Sequence, residues 1–131
     1  MVRISVTREL LEDMGELARS SHPNEITIHI GGYIESGTDK IIADSLIYQG
    51  YMDDEGPASV ITGHMPVVDS IIGTFHTHPG KENGLTEKDK RSFGGYGSIH
   101  IIAFHPYKKS DIRIYDSLGN PLDWEIKGDE K

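Results

Sequence analysis

The placing of apolar residues constrains the fold more than any other feature of the chain: one helical stripe near the amino end, then a succession of short β-branched runs. Residues 8 to 20, RELLEDMGELARS, put Leu10, Leu11, Met14, Leu17 and Ala18 on one stripe at helical spacing, with Thr7 available as the N-cap. Ser21-His22-Pro23-Asn24 breaks this helix, because the residue before a proline disfavours the helical region. EITIHI then alternates Ile26, Ile28 and Ile30, which predicts a strand beginning at Glu25. Further strands are expected at 40 to 48, 58 to 63, 69 to 77, 98 to 105, 111 to 116 and 122 to 126, several of them rich in isoleucine, valine or tyrosine. Gly119-Asn120-Pro121 reads as the turn joining the last two, and TEKDKRSF, ended by Gly94-Gly95, as a second short helix. Helix, strands, helix, strands predicts an α/β or α+β domain with a central mixed sheet.

A chain of 131 residues with 36% apolar content suffices for one domain, which we place at 1–127 with a loose tail at 128–131. No apolar run approaches the roughly 20 residues of a membrane span, and MVRISVTREL lacks a stretch of signal-peptide length, so a cytoplasmic location is expected. Thirteen Lys plus Arg against 21 Asp plus Glu give a net charge of −8, which opposes nucleic-acid binding and favours a protein or small-molecule partner. Lys81, Lys88, Lys90 and Arg91, and likewise Lys108 and Lys109, read as a solvated face, the alternative being a basic rim. The chain has no cysteine, so thiol catalysis, disulfides and thiolate-held clusters are excluded. Any transition metal has to be held by His, Asp or Glu.

Against that constraint the stretch FHTHPGKENGLTEKD, residues 75 to 89, stands out. In a strand, residues two apart face the same side, so His76 and His78 near a strand end can reach one ion. A His-x-His pair alone is weak, but Pro79 follows directly and Thr86 precedes Asp89 by three. Thr86-Glu87-Lys88-Asp89 also fits a capping box, in which Asp89 is structural. As a ligand, Asp89 would project from the first helical turn toward the loop, which Gly80 and Gly84 allow to fold back.

The stretch HTHPGKENGLTEKD resembles the signature of the JAMM (MPN+) metalloisopeptidases. That family also carries a glutamate on an early strand after the first helix, often in a Pro-x-Glu context, and HPNEITIHIGG supplies Pro23 and Glu25 there. Residues 97 to 126 resemble the family's following strands, so the likeness spans nearly the whole chain. It implies a single JAMM/MPN domain of cytidine-deaminase-like, three-layer architecture, a mixed sheet flanked by helices. It further implies one zinc ion held by His76, His78 and Asp89, with Glu25 as general base and Thr86 as donor to the oxyanion. Threonine stands at position 86 where the family usually has serine, which keeps the hydroxyl but restricts its rotamer.

By the same resemblance the substrate is an amide or isopeptide bond after the C-terminal Gly-Gly of a ubiquitin-like or sulfur-carrier protein, and a homodimer is compatible with it. The alternative is a catalytically silent MPN scaffold, which the intact ligand set disfavours. A base deaminase of related fold is excluded by the missing cysteines. Glu35, in YIESG, is the runner-up base, at the far end of the strand that Glu25 begins. His64, in GHMP, leads toward the metal strand and is a candidate substrate contact. His22, His29, His100 and His105 are expected to be structural or solvent-facing.

Overall fold

The computed structural model describes residues 3–47, 52–53, 56–57, 71–80 and 99–128. A first strand, β1 (Arg3–Val6), buries Ile4, Ser5 and Val6 before the chain turns into helix α1 (Arg8–Ser21). Thr7 caps that helix as its spacing predicts: its hydroxyl accepts the Leu10 N–H at 3.1 Å. Leu10, Met14 and Ala18, one turn apart, are buried against β3 and β7. The helix ends where His22 N–H donates to the Ala18 carbonyl at 3.0 Å, immediately before Pro23.

The remaining strands are β2 (Thr27–Ile34), β3 (Lys40–Ile47), β4 (Met52–Asp53), β5 (Gly56–Pro57), β6 (Ile71–His78), β7 (Ile99–Phe104), β8 (Ile112–Tyr115), β9 (Pro121–Leu122) and β10 (Glu125–Ile126). Seven of them join β1 in one mixed eight-stranded sheet in the order β10-β1-β3-β2-β6-β7-β8-β9, while β4 and β5 pair separately. The two outermost strands, β9 and β10, are consecutive in sequence. Leu122 and Glu125 are three residues apart and therefore at most about 11 Å apart. The sheet must curl until its edges nearly meet.

Inside the curl, Leu10, Met14 and Ala18 join Ile4, Val6, Ile30, Phe75, Ile99, Ile101, Ala103 and Ile114 in the main core. Strand β7, IHIIAF, is buried along its whole length, as expected of a strand between a parallel and an antiparallel neighbour with both faces covered. Its other face contributes Ile102 and Phe104 to a second cluster with Tyr115. The β6–β7 pairing requires glycine at position 73, where a Cβ would overlap the Ile99 carbonyl oxygen. This close approach fixes the register His76↔Ile102 and His78↔Phe104.

The mixed sheet, the helix and the strands near 40, 71, 99 and 112 agree with the sequence. Four details differ, the first being the short β4–β5 pair at Met52–Asp53 and Gly56–Pro57, where no strand is expected. Strand β1 was not expected; β2 starts at Thr27 rather than Glu25; and the stretch 122–126 is two short strands separated by Asp123 and Trp124. The expected strand at 58–63 and the helix TEKDKRSF lie outside the described residues. Among the described residues no helix is long and apolar enough to cross a membrane.

Candidate metal centre

The carboxyl end of β6 carries both histidines of the HTHP motif. Their ring centroids lie 5.8 Å apart at 61° to each other, and His78 is buried while His76 is partly exposed. That separation suits two imidazole nitrogens each about 2.1 Å from one ion. The His76 Nδ1 lies 2.9 Å from the Thr27 hydroxyl on the neighbouring β2. With the proton on Nδ1, His76 donates to Thr27 Oγ1 and keeps the Nε2 lone pair for a ligand. The His78 ring leans on Phe104 at 5.1 Å, and its carbonyl accepts the His105 N–H at 3.0 Å.

Strands β2 and β6 run antiparallel, and Thr27 is paired with His76. One step further, Thr77 N–H donates to the Ile26 carbonyl at 3.1 Å. The Ile26 N–H in turn donates to the Thr77 hydroxyl at 2.9 Å. Glu25, the residue before Ile26 and outside β2, is thereby brought to the His78 end of β6. Glu25 is exposed there. Glu35, ten residues on, lies roughly 30 Å away along the strand, beside the turn in which Thr38 N–H donates to its carbonyl. Its carboxylate faces Lys127 at 3.9 Å, which removes it from the site.

Thr86, Asp89 and His64 lie outside the described residues. Among the described residues no group of three or more His, Cys, Asp or Glu converges as a metal site. The described part thus supplies the two imidazoles of His76 and His78, with Glu25 exposed on the segment that leads into β2. With no cysteine in the chain, nitrogen and oxygen donors of this kind fit a zinc ion with an exchangeable position rather than a closed thiolate site. The Thr27 contact is an orienting interaction of the sort that tunes metal affinity. Thr27→Val is therefore expected to weaken zinc binding by about 10- to 100-fold without unfolding the exposed strand end, as read by competition with a chromogenic chelator.

Three contacts near this site escape sequence reasoning because they join residues far apart in the chain. The His22 Nδ1 lies 2.7 Å from the Tyr107 hydroxyl. The His22 ring stacks on His105 at 4.4 Å, and the hydroxyl of the buried Thr77, the spacer of the motif, accepts the Ile26 N–H. Thr27 alone carried a readable signal: it stands two residues after Glu25.

His100 is a separate matter. It is fully buried on β7 between the Thr74 hydroxyl at 2.8 Å and the Ser117 hydroxyl at 3.0 Å. Burial pushes its pKa down from 6.5 to about 4, against a smaller opposing pull from Asp116. Its folded form therefore stays neutral where the unfolded chain takes up a proton. Stability from this residue is complete above pH 6.5 and is lost progressively as pH falls toward 4, by up to about 3 kcal/mol. Urea midpoints at pH 7.5 and pH 5 read the loss, and His100→Gln is expected to flatten it.

No family model matches the chain. A curated relative from Haloferax volcanii, described as "Probable metalloprotease", is 27% identical over 128 residues, covering 94% of this chain and 79% of that protein. A JAB1/MPN domain protein from Archaeoglobus fulgidus, known from its crystal structure, superposes with a TM-score of 0.67 at 25% identity, over 94% of this chain and 95% of that one. A structure described as a JAMM metalloprotease-like zinc site in the proteasome and signalosome gives the same TM-score at 23% identity, over 95% and 97%. The curled mixed sheet with α1 packed on it and these likenesses agree: the chain is distantly similar to JAMM/MPN domain proteins and shares their fold.

Proposed function

We propose that the protein is a zinc-dependent metalloprotease of the JAMM type that hydrolyses the amide or isopeptide bond after the C-terminal Gly-Gly of a ubiquitin-like or sulfur-carrier protein. The observation that carries this reading is the pairing of β2 with β6, which brings the segment holding Glu25 to the strand end of His76 and His78, where Thr27 bonds His76. His76, His78 and Asp89 would hold the ion, which when bound supplies a Lewis acid and a water of lowered pKa.

The chain's own groups do the rest. Glu25 takes a proton from the attacking water as its oxygen adds to the scissile carbonyl carbon. It returns that proton to the nitrogen as the C–N bond breaks, so a neutral amine leaves. The Thr86 hydroxyl donates to the oxyanion, a role in which loss of one donor costs roughly 100- to 1000-fold in rate. An extended Gly-Gly tail, free of side chains, suits main-chain docking beside a sheet. The test is cleavage by the zinc-loaded protein of the host's ubiquitin-like proteins fused through Gly-Gly to a reporter domain. Stoichiometric zinc with no cleavage of any such fusion would move the reading toward a silent scaffold.

A further inference from the structure

Glu25 belongs to no regular element: it follows the end of α1 and precedes the first residue of β2. A general base on such a segment works only if its backbone is fixed, since a misplacement of about 1 Å can cost 100-fold in rate. Residues 22–26 are fixed from two sides by hydroxyl groups belonging to other strands and loops.

On one side is Thr77, between the two histidines and fully buried. Its hydroxyl accepts the Ile26 N–H at 2.9 Å and reaches toward the Asn24 carbonyl at 3.5 Å, so it contacts the backbone immediately before and after Glu25. Its own N–H adds the 3.1 Å bond to the Ile26 carbonyl. On the other side is Tyr107, just past the end of β7, buried to 3% exposure, with its hydroxyl 2.7 Å from His22 Nδ1. Tyr107 holds φ at 70°, a region a bulky residue rarely enters, and its N–H donates to the Phe104 carbonyl at 2.7 Å. The turn that imposes this backbone brings the ring under His22, and His105 stacks on the same imidazole at 4.4 Å.

We propose that the Thr77 and Tyr107 hydroxyls are positioning groups that clamp residues 22–26 to the ends of β6 and β7 and so hold Glu25 in register with the histidine pair. The threonine within the HTHP motif then serves as more than a spacer. One group, rigidly placed between the two histidines, ties the base to the same strand that carries them. The inference rests on Glu25 acting as the base, as proposed above, but the clamp itself is open to a measurement that needs no activity.

That measurement is hydrogen exchange at the Ile26 amide in the metal-free protein. Thr77→Val, which removes the acceptor while keeping shape, is expected to speed exchange there by at least about 10-fold while core amides such as Ile101 are unchanged; Thr77→Ser is expected to restore protection. With zinc-loaded protein and a Gly-Gly reporter fusion, Thr77→Val is expected to lower kcat by about 10- to 100-fold with KM and zinc stoichiometry unchanged. Tyr107→Phe, which deletes an oxygen bonded to an exposed ring and keeps the buried packing, is expected to lower kcat by about 10-fold in the same way. Unchanged Ile26 protection in Thr77→Val overturns the clamp, and so does wild-type kcat in both Thr77→Val and Tyr107→Phe. Full activity in Glu25→Gln sinks the base assignment instead, and leaves the exchange result to judge the clamp separately.

Discussion

Glu25→Gln is expected to lower kcat by about 1000-fold while zinc content, KM and thermal stability stay near wild type. The size follows from the role, since a positioned proton acceptor contributes roughly 100- to 10,000-fold and glutamine cannot accept the water's proton. The selectivity follows from the place. Glu25 is exposed two residues before β2, outside the core, so an isosteric amide leaves the packing untouched. It is also not one of the expected ligands, so the ion remains. Steady-state kinetics on a Gly-Gly fusion, run beside metal analysis of the same preparation, checks all three parts. A drop in metal content parallel to activity would make Glu25 a ligand instead.

His78→Ala is expected to abolish stoichiometric zinc and reduce cleavage to background, with the domain still folded. Removal of one of the three proposed ligands would break the chelate, whereas the sheet is held by its own apolar core of Phe75, Ile101, Ile30 and the α1 stripe. His78 packs against Phe104, so a cavity cost of roughly 1–3 kcal/mol is expected from the lost ring contact and read in a urea midpoint. Circular dichroism of the variant distinguishes a catalytic ion from a structural one. An unfolded variant would mean that the ion supports the fold.

Much of this was legible in the sequence, for physical reasons that differ by element. The α1 stripe declares itself because burial of one helical face imposes a 3.6-residue period and its Thr7 cap is a local hydrogen bond. Strands β3, β6 and β7 are legible as dense β-branched runs, and the turn before Pro121 through its Gly-Asn pair, where Asp116 accepts from the Leu118 and Asn120 N–H groups. Strand β1 is four residues long, too short for a period to show, and it exists because β3 and β10 flank it. The split of 122–126 is invisible locally, since Leu122 pairs with β8 and Glu125 with β1 at opposite ends of the sheet.

The site divides in the same way. His76 and His78 are read from a two-residue spacing, and Glu25 from its resemblance to a family pattern rather than from any period. The register that brings Glu25 to the histidines joins residues about fifty positions apart, and the His22–Tyr107 contact spans 85. Such pairings are set by the curl of the sheet. The same holds for His100, read as structural or solvent-facing, which proves to be buried between two hydroxyls.

The most direct test of a metal-dependent amide hydrolase built on His76, His78 and Glu25 is one titration. Wild-type protein stripped by chelator is mixed with a Gly-Gly fusion, and zinc is added back while cleavage is followed. The account predicts no cleavage by the stripped protein and recovery that saturates at one zinc per chain. Cleavage by the stripped protein at the rate of the loaded one would contradict it.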